Sequence, residues 1–163
     1  MRRLILSFAL VAALLLPAAS AASAATVVHS VSAGGPDACA SFGARPGCDG
    51  NYSFVAFQYA DGSGSGQYVD RFQRGQGIIG VIDCVRVVGN HAWVSGWITS
   101  GMGFDNTDLT GLPFTTLVVD NGTSAQQPPD QIASSHTGDP TSCTAMVPWD
   151  SLAETPQGQV TVK

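Results

Sequence analysis

Four aspartates stand where oxygen chemistry could be assembled. Asp120 begins the stretch "DNGTSAQQPPD" and Asp130 ends it, while Asp105 and Asp108 lie upstream in "FDNTDLTG". Calcium takes six to eight oxygen ligands, so carboxylates gathered around Gly-containing turns could hold one. The sequence lacks the D-x-[DN]-x-[DN]-G loop with a distal Glu that would make such a site specific. Asp and Asn also bond their own backbone in turns, and Gly takes positive φ without steric cost. The spacing therefore reads first as a long turn. Asn121-Gly122 ends one strand, and Pro128-Pro129 holds the chain extended without offering ladder donors until the next begins. On this reading Asp120 and Asp130 can be exchanged for Asn at little cost. All four aspartates remain only weak candidates for a metal.

His29, His91 and His136 could act as bases or ligands, but each sits alone in a different segment. There is no H-E-x-x-H and no G-x-S-x-G, so a Ser/His/Asp site would have to converge in space. Glu154 is the only glutamate, so a glycosidase-type carboxylate pair would need aspartates. No catalytic residue and no cofactor is assigned. Trp93 and Trp97 are a different case. On a strand, residues an even number apart share a face. The pair is either core packing or an aromatic platform for an apolar or carbohydrate ligand.

The elements that must position these residues are short β-branched and aromatic runs between Gly, Asn, Asp and Pro. Candidate strands cover 26–32, 51–59, 67–73, 80–88, 91–99, 112–120, 131–136 and 158–162. In 67–73, Tyr68 and Phe72 point one way while Val69 and Arg71 point the other. Gly89-Asn90 suits a two-residue type II′ hairpin turn. Ala92, Val94, Gly96 and Ile98 then share one face, which suits a packed interior, and Trp93, Ser95, Trp97 and Thr99 share the other, a second core layer or an exposed aromatic surface. "VPWDSLAE" (147–154) reads as one helical turn. About eight antiparallel strands in succession predict an all-β meander, closed into a barrel or packed as a two-sheet sandwich.

Arg2 and Arg3, the apolar run 4–16 and Ala22-Ser23-Ala24 read as a signal peptide over 1–24. Residues 25–163 then form a single β domain. Residues 25–50 hold its first strand and a cysteine loop, and 51–163 hold the main meander. Without Arg2 and Arg3, five basic residues face twelve acidic ones, a net charge of −7. That balance excludes nucleic acid, whose phosphates reward clustered cations. No later segment is apolar enough to span a membrane as a helix. Cys39, Cys48, Cys84 and Cys143 imply two disulfides in an exported chain. Three pairings are open. Loop closure favours Cys39 with Cys48 across "ASFGARPG", which leaves Cys84 with Cys143.

The chain resembles a family of small secreted bacterial all-β proteins, of the kind common in actinobacteria, with no established activity. Their pattern is Gly-x-Val-x-Cys, Gly-Asn, x-Ala-x-Val-x-Gly, Val-x-Asp-Asn-Gly and Pro-Asp-x-Ile. Here it falls on Gly80, Cys84, Gly89, Asn90, Ala92, Val94, Gly96, Val118, Asp120, Asn121, Gly122, Pro129, Asp130 and Ile132. The match covers about half the chain, and the Cys39/Cys48 loop departs from it. The resemblance implies secretion and a β fold, and no catalytic residues.

The expectation is a secreted, extracellular, non-enzymatic β-protein with a binding or envelope-associated role. Its partner would be a small ligand or an extracellular protein. The alternatives are a small apolar-ligand carrier, a protease inhibitor presenting Arg45 in the Cys39–Cys48 loop, and a hydrolase with a spatially assembled site.

Overall fold

The computed structural model describes residues 25–36, 51–72, 76–103, 105–124, 126–136, 138–155 and 158–163. The signal-peptide reading, Cys39, Cys48 and Arg45 lie outside the described residues.

Nine antiparallel strands make one continuous sheet that curls into a half-barrel. They are β1 (Val27–Pro36), β2 (Asn51–Tyr59), β3 (Gly64–Arg71), β4 (Gly77–Val88), β5 (His91–Met102), β6 (Pro113–Val119), β7 (Gln131–Ser135), β8 (Ala153–Glu154) and β9 (Gln159–Val162). β1 to β8 pair in sequence order, and β9 returns to the free side of β1. The all-β antiparallel architecture is the expected one. The last strand joins the first, as barrel closure would have it, but β8 and β9 do not pair, so the curl stays open as a half-barrel.

The hairpin at Gly89-Asn90 forms as the spacing requires. Gly89 takes φ +60° and Asn90 stays at negative φ, as a type II′ turn demands. "VPWDSLAE" does not form a helical turn. The helical turn α1 lies earlier, over Ser142–Ala145. Asp139 starts it by accepting both the backbone N–H and the hydroxyl of Thr141. Ala153 and Glu154 instead pair with Ile132 and Gln131, because β7 offers an open edge there.

The core lies inside the curl. Val160, Ala33, Phe54, Tyr68, Gly80 and Ile98 occupy one row across six strands. Tyr68 stacks on Phe54 at 5.9 Å and on Phe114 at 4.7 Å. Phe114 reaches Tyr68 from β6 because Gly80 has no side chain. A Cβ there would lie 2.6 Å from the Phe114 ring. Tyr68 and Phe72 share a face as predicted, and it is the inward one, with Val69 and Arg71 on the other side.

Candidate functional site

The open seam of the half-barrel lies between β9 and the start of β7, and two aspartates bridge it. Asp130 Oδ2 accepts the Val160 N–H at 2.6 Å, and Oδ1 accepts that of Asn121. Asp120 Oδ2 accepts the Val162 N–H at 2.9 Å, and Oδ1 accepts that of Gly122. The Asn121 amide donates to the Pro129 carbonyl, and Thr155 donates through both N–H and hydroxyl to the Asp130 carbonyl. All four carboxylate oxygens are therefore committed to backbone donors. This corrects the reading that Asn could replace these residues at little cost. An edge strand carries a row of unpaired N–H groups, and here carboxylates accept two of them. The short-range turn was legible; the partner strand, 30 and 42 residues further on, was not.

Asp105 and Asp108 sit elsewhere, in the exposed turn after β5. Asp105 accepts the Thr107 N–H, and Asp108 accepts that of Thr110. Thr107 and Thr110 hold the two carboxyls below the usual value of 3.8, through the backbone bond first for Asp105 and the side-chain bond first for Asp108. The four aspartates do not come together, and no metal-binding group of three acidic, His or Cys residues occurs among the described residues.

The histidines also stay apart. His29 Nδ1 lies 3.2 Å from the Lys163 carbonyl, and His91 stacks on Trp93 at 5.9 Å. His136 faces the interior, where Nε2 is 3.3 Å from Asp70 Oδ2. This is a charge contact when the ring is protonated, and Nε2 has no hydrogen bond among the described residues. Tyr68 donates to the same oxygen and also meets Ser134, which meets Thr116. Asp70, Ser134 and His136 are the ingredients of a hydrolytic site, but the Tyr68 hydroxyl stands between the acid and the serine. Asp70 is 3% exposed and Tyr68 fully buried, so the cluster ties β3 to β6 and β7 across the interior. Its signal was in the sequence: Asp70 falls on the inward register between Tyr68 and Phe72.

The disulfide joins Cys84 of β4 to Cys143 of α1, the pairing that loop closure favoured for these two. It fastens the segment 138–147 against the outer face of β5 and β6. Ser95 donates to the Pro140 carbonyl beneath it, and Trp93 Nε1 donates to the Val147 carbonyl at 2.9 Å. Trp93 is thus half-buried. Trp97 stays 43% exposed, its Nε1 held by Asp83 at 2.9 Å.

Away from that cover, the outer face of β9, β1, β2 and β3 forms a shallow trough of about 440 Å³. Ser32, Ser53, Gln67, Gln159 and Thr161 line it, with Val55 and Val69 between them. None of the five polar side chains bonds another side chain or the backbone among the described residues. One row of the sheet runs Thr161, Ser32, Val55, Gln67, Val81 and Trp97, each directly opposite the next. At about 4.8 Å between strands, it spans about 24 Å. Sequence reasoning found Trp97 but not the trough, because outer-face polar residues acquire meaning only when register aligns them.

Comparison with protein-family models, curated proteins and solved structures finds no match.

Proposed function

We propose that this is a secreted, non-enzymatic binding protein whose ligand lies on the outer face of the sheet, in the trough and along the row that ends at Trp97. The observation that carries the reading is the set of five uncommitted polar side chains, arranged in register beside exposed Val55 and Val81. Polar side chains with no partner of their own can exchange water for a ligand without breaking a bond that holds the fold. The flanking apolar surface adds burial. A carrier would use the interior instead, but the rings of Phe54, Tyr68 and Phe114 occupy that space. An envelope-associated role is compatible with an exposed face of this length.

Amide chemical-shift mapping tests the reading, with soluble oligosaccharides, peptides and short-chain lipids as probes. The expected perturbations fall on Ser32, Ser53, Val55, Gln67 and Thr161. Perturbations confined to the interior around Tyr68, or none with any probe, would reject it.

A further inference from the structure

We infer that the ligand of the outer face is a neutral carbohydrate chain; this rests on the binding reading above and adds its chemical class. Three observations point there. The first is charge. The chain has twelve acidic residues and a net charge of −5, yet no charged side chain lines the trough. An anionic ligand would find no counter-charge in the trough, and the carboxylate at the Trp97 end, Asp83, is engaged by the indole N–H, whereas an uncharged ligand loses no ionic hydration.

The second is the type of polar group. Ser, Thr and Gln each donate and accept. Such a set matches a ligand whose own groups also do both, as sugar hydroxyls do. Val55, Val81 and Trp97 stand in the same row, and Trp97 keeps an exposed ring whose orientation the Asp83 bond fixes. The C–H face of a sugar ring can lie on an aromatic surface while its hydroxyl rim turns to the amides and hydroxyls beside it.

The third is what the neighbouring edge refuses. An extended peptide gains affinity by adding a strand to an open edge. Beside the trough, the outward N–H groups of Val160 and Val162 already bond Asp130 and Asp120. Strand addition at β9 would have to break both carboxylate bonds. A ligand on the face makes no such demand.

The test is affinity electrophoresis of the folded protein in native gels containing dextran, hydroxyethyl cellulose, xyloglucan or arabinogalactan. Polygalacturonate and heparin serve as charged controls. Retardation by at least one neutral polymer is expected, unchanged between low and high salt, with none by the controls. Trp97→Ala and Gln67→Ala should each weaken it at least tenfold, and Trp97→Phe should restore part of it. Thermal melts of each variant confirm that the fold is kept, and Val81→Lys provides a second block on the same row. Retardation only by the anionic polymers, or retardation that all these variants leave intact, overturns the inference. If no neutral polymer retards the protein while a peptide or lipid probe perturbs the trough amides, the carbohydrate class fails and the binding face stands. If no probe perturbs those amides, both fail.

Discussion

Trp93 and Trp97 stand on one strand and face one way, yet they belong to different surfaces. Around Trp93 the outer face is covered. Ser95 is 1% exposed and Thr115 4%, and the 138–147 segment crosses above them. Around Trp97 and on to β9 the same sheet is open, with Val55 and Val81 about half exposed. The sheet's two halves have similar backbones, so the difference comes from the cover. A segment with one short helical turn buries little apolar surface of its own. It is held by the Cys84–Cys143 bond and by side-chain bonds from Ser95 and Trp93. Under the cover Ser95 and Trp93 are paired with the crossing segment; where the face is open, the trough side chains are left uncommitted.

Removing the cross-link is the strongest way to break this contrast. Replacing Cys84 and Cys143 together by Ala should cost about 4 kcal/mol, the chain-entropy figure for a loop of this length. Urea unfolding reads the loss. Tryptophan fluorescence should red-shift in the native state as Trp93 loses its cover, and an unchanged spectrum would show that the segment stays docked without the bond. Asp130→Ala comes next, because it removes the acceptor of two backbone donors at a site 7% exposed. A loss of about 3 kcal/mol is expected, with faster amide exchange at Val160 and Asn121 than in β4. A loss under 0.5 kcal/mol would mean that the seam is closed by something other than this carboxylate.

The two tryptophans give a smaller and sharper test. Trp93→Ala should cost about 2 kcal/mol, from lost burial and the bond to Val147. Trp97→Ala should cost about 1 kcal/mol, since much of its ring already meets water. Equal costs would erase the distinction between the covered and open halves.

The smallest effect is that of acid. Asp61 is held below 3.8 first by the Ser63 hydroxyl, and Asp139 first by the Thr141 backbone N–H. Asp105 and Asp108 are lowered by the bonds described above. A depressed folded value means that the stabilisation is present above 3.8 and is lost as pH falls through the lower, folded value. All four groups are fully exposed, so the decline should be shallow. Urea midpoints at pH 7, 4 and 3 measure it, and a midpoint that rises on acidification would contradict the sign.

Alternation and turn residues alone determined much of this protein. Tyr68 and Phe72 on one face, Ala92, Val94, Gly96 and Ile98 on another that suits the interior, and the Gly89-Asn90 hairpin all follow from a period of two and a glycine at positive φ. These are local properties, fixed by a few neighbouring residues. Tertiary structure decided the rest. β9 pairs with β1 across most of the chain, so no local pattern announces it, and Asp120 and Asp130 looked like turn formers alone because only their local donors, Gly122 and Asn121, are near in sequence. The pairing of Ser32 with Thr161 and Val55, and of Gln67 with Val81, is likewise a matter of register. Each of those residues alone reads as an ordinary exposed strand position. The curl of one sheet sets them side by side, and the cross-linked segment covers Trp93 while leaving Trp97 free.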